Sequence, residues 1–188
     1  MNTRIKKNGF TLVEMLVTIT VFLIIISSII GLFIYGIQQQ RRTLALRALL
    51  DQSSYTLEYM SRALRMASKE INDPPSCLSA TGLNYENTSP YPGIKFINHL
   101  ENDNCQEFYL EGGILKFKRD IAAPPINFSS ANLEIVNLKF NLSGESQDDN
   151  LQPRVTIFVK VKVKNSTEAS LTLNLQTSIS QRALDVEY

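Results

Sequence analysis

The chain is poor in the residues that build catalytic and metal centres. Among its 188 residues there is one histidine, His99, and there are two cysteines, Cys77 and Cys105. A histidine-based metal site or a catalytic triad would have to be assembled around that single imidazole, and His99 reads instead as a surface loop residue. No serine stands in a glycine-flanked nucleophile elbow, and no glycine-rich loop is spaced to cradle a phosphate. An enzyme is therefore not expected, nor is a cofactor or a resident metal. Charge is scarce in net terms as well: at +1 the chain lacks the basic excess of a nucleic-acid-binding protein, and no nucleic-acid partner is expected. The stretch Glu145-Ser146-Gln147-Asp148-Asp149-Asn150 has oxygen ligands to offer calcium, but its spacing fits no defined calcium loop, and it reads as a solvated turn.

The chain is rich in one long apolar run. From Phe10 to Ile37 the only charged side chain is Glu14, and no proline interrupts the run. At 1.5 Å per residue a helix of about 28 residues is about 42 Å long, more than the roughly 30 Å hydrocarbon core of a bilayer. A basic leader ending in Lys6-Lys7 precedes it, which orients a span with its N-terminus in the cytoplasm. An acid four residues into such a span costs about 2.5–3.5 kcal/mol or more, so a function is the default reading for Glu14. A secretory signal peptide does not fit, because its apolar core is only about 7–15 residues and a small-x-small cleavage site follows it. A plain single-pass anchor accounts for the leader and the span but gives no reason for Glu14 or for Gly9-Phe10.

The residues Gly9-Phe10-Thr11-Leu12-Val13-Glu14 resemble the processing site of type IV prepilins and of the pseudopilins of type II secretion. In that family a membrane peptidase cuts after the glycine on the cytoplasmic side and methylates the exposed amine. The mature subunits then assemble into a helical filament through their apolar helices. The resemblance implies that Gly9–Phe10 is the scissile bond, that Phe10 carries the methylated amine, and that Glu14 meets a neighbour's amine. It also implies the partners: a prepilin peptidase, other pilin or pseudopilin subunits, an inner-membrane assembly platform and, before assembly, membrane lipid. The expected location is the inner membrane, with the C-terminal part outside the cytoplasm, and afterwards the pilus or pseudopilus. The match covers the first quarter of the chain, the remainder being similar in architecture. The rival from another class is a membrane-anchored extracytoplasmic binding domain that never polymerises.

Physics supports a role for Glu14 apart from any family. A cut before Phe10 leaves an ammonium at a helix start, where four N–H groups lack partners and a carboxylate one turn away favours the positive end. Between subunits the same pair would fix axial register, because an unpaired charge in lipid is far worse than a paired one. Ser27, Gly31 and Gly36 set small residues in a bulky surface, and Ser27-x-x-x-Gly31 suits close helix approach.

Beyond the span the helix is predicted to continue to about Lys69, stopped by Pro74-Pro75. Leu46, Leu50, Ser53, Leu57, Met60, Leu64 and Ala67 form its apolar stripe, and Arg41, Arg42 and Arg47 decorate other faces. Period 2 then takes over. Val155 to Val163 alternate with Thr156, Phe158, Lys160, Lys162 and Lys164, which is a half-buried strand with a basic outer face. Leu171, Leu173, Leu175 and Ile179 repeat the pattern after a turn at Asn165–Glu168, and Val136, Leu138, Phe140 and Leu142 give a further strand. Gln106–Leu110 and Ile114–Arg119 flank Glu111-Gly112-Gly113 as a hairpin, and Gly93–Asn98 adds another strand. The fold class is α+β and pilin-like: one long N-terminal helix packed on an antiparallel sheet. The expected organisation is a cleaved leader over 1–9, a transmembrane and assembly helix over 10–37 and an amphipathic continuation over 38–71. A connecting loop over 72–92 and the sheet over 93–188 complete it.

In an oxidising compartment Cys77 and Cys105 can bridge, closing a loop of about 28 residues worth roughly 3–4 kcal/mol in the chain-entropy model. Two free thiols are the alternative. Major pilins close a C-terminal loop with their cysteines, whereas this pair would clamp the helix-to-sheet connection. The length, the several strands and the ending Leu175–Arg182 resemble the J-type minor pseudopilins. The tip-most pseudopilin typically lacks the acid that is Glu14 here, which implies a subunit below the apex.

Overall fold

A computed structural model describes residues 9–145, 151–164 and 172–183. The chain divides into two compact units, Met1–Leu44 and Ala45–Tyr188. A single helix, α1 (Leu12–Arg65), contributes to both.

In the first unit the helix stands without a core. From Gly9 to Leu44 every residue is exposed except Ile26, which is half-buried. Its hydroxyls bond their own backbone: Ser27 and Ser28 donate to the carbonyls of Leu23 and Ile24, and Thr18 and Thr20 to those of Met15 and Val17. The segment thus presents an apolar surface whose polar groups are satisfied internally, as a membrane span requires. It is long and apolar enough to cross a membrane.

The second unit holds the core. Its part of α1 buries Leu49, Ser53, Thr56, Met60 and Leu64, at spacings of four and three. The stripe read from the sequence is displaced at its start, for Leu50 is 42% exposed and Leu49 only 2%. The hydroxyls of Ser53 and Thr56 are silenced by donating to the carbonyls of Leu49 and Gln52.

The strands form two antiparallel sheets rather than the single sheet expected. The first contains β1 (Ala67–Ser68), β2 (Glu86–Thr88), β3 (Gly93–Asn98), β4 (Asn104–Glu111), β5 (Ile114–Lys118) and β6 (Ile126–Asn127). Its order is β1-β3-β4-β5-β6, with β2 also paired to β3. The second runs β7 (Leu133–Ser143), β8 (Arg154–Val163), β9 (Thr172–Ser180). The amide of Ile135 donates to the carbonyl of Gly113 at 2.9 Å, which links the second sheet to the β4–β5 turn. That turn is Gly112-Gly113, with φ of 60° and 78°, the positive values a two-residue hairpin turn of this hand demands.

Between these elements Phe96, Phe108, Phe117 and Phe128 gather with Tyr59 of α1. The Phe108–Phe117 rings stack at 4.6 Å, and Tyr59 lies 4.7 Å from Phe128. Val155, Ile157 and Val161 of β8 are fully buried beside them, as their alternation predicts.

Three local readings change. The helix stops at Arg65, not Lys69, because Ala67 and Ser68 pair with Asn98 and Ile97 as a strand. In β7 a bulge between Ile135 and Asn137 ejects Val136, which is 47% exposed, while Leu133, Ile135, Leu138 and Phe140 point inward. Within the stretch read as a connecting loop, Glu86–Thr88 is a strand. The predicted turn at 165–168, Leu171 and the acidic residues 146–150 lie outside the described residues.

Candidate functional site

The start of α1 is organised by Thr11 and Glu14. The carbonyl of Thr11 accepts the first helical bond, from the Met15 amide at 3.2 Å, so Thr11 is the N-cap. Its Oγ1 accepts from the Glu14 amide at 3.2 Å. The Glu14 carboxylate accepts in turn from the Thr11 amide and from Thr11 Oγ1, both at 3.0 Å. This reciprocal pair is a capping box, Thr-x-x-Glu. The pattern is legible in the sequence as Thr11-Leu12-Val13-Glu14, and it supplies a second partner for the acid that charge reasoning alone misses. Gly9 and Phe10 precede the helix outside any regular element and are exposed, Phe10 to 82%. No side chain crowds Gly9, Gly31 or Gly36 within 4 Å of where a Cβ would sit. The structure therefore brings Thr11 and Glu14 together beside an accessible Gly9–Phe10 bond.

The other end of α1 is closed by groups distant in sequence. A helix leaves its last carbonyls unpartnered. Here the Leu64 carbonyl accepts from Tyr85 Oη at 2.8 Å, that of Arg65 from the Arg182 amide at 2.9 Å, and that of Met66 from the His99 amide at 3.0 Å. Tyr85 is 1% exposed, and burial, together with the charge of Glu145, pushes its phenol well above the ordinary range.

Glu70 is a second organising residue that periodicity does not reveal. Its side chain is fully buried. Oε2 accepts from the amides of Cys77 at 2.8 Å, Ser76 at 3.2 Å and Leu78 at 3.3 Å, and Oε1 from that of Asn72 at 3.1 Å. Burial opposes ionisation, but the four amides outweigh it and hold the carboxyl below the usual carboxylate range. The carboxylate thus gathers the loop that carries Cys77. Cys77 is bonded to Cys105 in β4, with Cα atoms 5.5 Å apart, so a covalent tie and an ionic hub organise the same loop.

His99 is exposed at the start of a 3-10 turn, His99–Glu101, and its Nδ1 lies 3.0 Å from Asp103 Oδ1. Among the described residues no cluster of three or more histidine, cysteine, aspartate or glutamate side chains is placed to hold a metal ion.

Compared with known proteins, residues 4–30 match the family model described as the prokaryotic N-terminal methylation motif. No curated protein and no solved structure matches the chain. The matched stretch ends inside the apolar helix and contains Gly9, Phe10, the capping box and Ser27. This motif, on a long apolar N-terminal helix followed by antiparallel sheets, supports a place for the chain among the type IV prepilins and pseudopilins, which it resembles.

Proposed function

We propose that this protein is a minor, non-apical structural subunit of a type IV pilus or type II secretion pseudopilus. A prepilin peptidase cuts between Gly9 and Phe10 and methylates the Phe10 amine. Before assembly the segment 10–37 spans the inner membrane with the leader 1–9 in the cytoplasm. The apolar helix then leaves lipid for a filament of like subunits raised by an inner-membrane platform. The observation that carries this reading is the methylation motif at residues 4–30 on a helix whose apolar surface has no partner within its own unit.

Glu14 has two roles in sequence. In the uncut chain it caps α1 through Thr11. After cleavage its second lone pairs are available to the ammonium of a neighbouring Phe10, and the requirement that this charge be paired in lipid sets the stagger between helices. Mass spectrometry of the mature protein tests the processing step: an N-methylated Phe10 is expected, and an intact Met1 would convert the protein to a simple membrane anchor. Glu14→Ala is expected to insert and be cleaved normally but to enter filaments poorly. Normal incorporation of that variant would remove Glu14 from assembly.

A further inference from the structure

We infer that the opening beside the end of α1 is a receptor for an acidic, extended peptide segment of a partner protein. It goes beyond the processing at Gly9–Phe10 and does not depend on it. Two of the backbone bonds that close the helix also build this opening. Arg182 N to Arg65 O brings two arginines side by side, and His99 N to Met66 O sets the 3-10 turn against them. The resulting cavity holds about 430 Å³, and among the described residues Arg65, Arg182 and His99 are the ionisable ones that line it.

The charge there is one-sided. Arg65 and Arg182 are both exposed, and neither forms an ion pair among the described residues, unlike Arg62 with Glu58 and Arg119 with Glu101. The acids beside His99 and Leu100 are both engaged, Asp103 at His99 Nδ1 and Glu101 at Arg119. A cation in the last helical turn complements the helix dipole, which explains Arg65. It does not explain a second guanidinium delivered from beyond β9. Two guanidinium forks at one opening are suited to bidentate carboxylate recognition.

Apart from Ser68, the rest of the opening is apolar. Met66, Ala67 and Ala183 line it, and Leu100 stands 69% exposed at its side. The volume falls within the range of small-ligand pockets, about 300–1,000 Å³. A nucleic-acid backbone would need a continuous basic track. An aspartate or glutamate with an aliphatic neighbour matches both the charge and the apolar side.

The test uses the full chain in detergent micelles and a fluorescent, end-blocked tetrapeptide of alternating leucine and aspartate. Binding in the submillimolar range is expected, and its leucine–asparagine twin is expected to bind at least about tenfold more weakly. Arg65→Gln and Arg182→Gln each leave the backbone bonds intact and are expected to weaken binding about tenfold, while Arg47→Gln, on an exposed helical face, leaves it unchanged. Leu100→Ser is expected to weaken it several-fold, and near-ultraviolet circular dichroism checks that each variant is folded. The inference is overturned by equal binding of the two peptides, by retained affinity in the double arginine variant, or by no binding up to about 5 mM peptide. Competition by acetate at the peptide's own concentration would also overturn it, by reducing the opening to a simple anion site.

Discussion

Replacing Glu70 by glutamine keeps the size of the side chain and changes only what its two terminal atoms can accept. In the native protein four backbone amides converge on the carboxylate, three of them on Oε2. The glutamine oxygen can serve those three, but its NH2 then faces the Asn72 amide, donor against donor. One buried amide left unpaired costs about 1–3 kcal/mol, and three charge-assisted bonds becoming neutral lose about 1 kcal/mol each. Against this, glutamine carries no charge to desolvate, which offsets several kcal/mol. The balance is a destabilisation of about 2–3 kcal/mol at pH 7.

The pH dependence separates this account from simple loss of packing. Glu70's carboxyl is held below its ordinary value of 4.5, so in that window the unfolded chain binds more protons than the folded one. Stability then rises with pH. The contribution is fully present above the unfolded value and drains away as pH falls through the lower, folded value. Urea unfolding of the oxidised full chain in detergent, followed by near-ultraviolet circular dichroism of its tyrosines, should show the two proteins converging below pH 4.5. A penalty under about 0.5 kcal/mol at pH 7, or one that stays constant down to about pH 3, would refute the ionic hub.

Other perturbations follow from the same geometry. Ile135→Ala should cost about 2–5 kcal/mol and Val136→Ala no more than about 0.5, the reverse of simple alternation; denaturant midpoints decide between them. Reducing Cys77–Cys105 should lower stability by roughly 3–4 kcal/mol, read as a shift in unfolding midpoint with and without reductant. Tyr85→Phe should cost about 1–2 kcal/mol by leaving the Leu64 carbonyl unpaired. Because the phenol of Tyr85 is raised, the same variant should leave the tyrosinate absorbance titration unchanged up to about pH 11.

What the sequence discloses tracks the range of the forces involved. The strand over Arg154–Val163 is legible because strict alternation of Val155, Ile157, Val159 and Val161 needs no knowledge of partners. The β4–β5 turn is legible because Gly112-Gly113 meets a local backbone demand. Val136 is misread because a bulge is a property of two strands together, and its neighbours Ile135 and Asn137 do not announce it. Leu49 and Leu50 are both leucine, so spacing alone could not choose the inward one. The end of α1 is obscure for a similar reason. No glycine or proline stops the helix before Pro74, and strand pairing to β3 decides it. Glu70 looks in sequence like one more helical glutamate, since its donors are set by the fold of the 72–78 loop. At the N-terminal site the processing motif was read from the sequence, whereas the capping box of Thr11 and Glu14 emerged only with the structure, because charge reasoning looked outward for the acid's partner.

The closure of α1 by Tyr85, His99 and Arg182 has a temporal consequence. A chain made from its N-terminus delivers the helix early and the three caps one after another, the Arg182 amide after all nine described strands. Until then the carbonyl of Arg65 has only water to satisfy it. The last turn of the helix is therefore finished by a residue that follows β9, and a chain stopped short of Arg182 would carry a helix that frays where the longer chain is sealed. Synthesis as far as Arg182 is thus recorded in the hydrogen-exchange protection of a single helical turn.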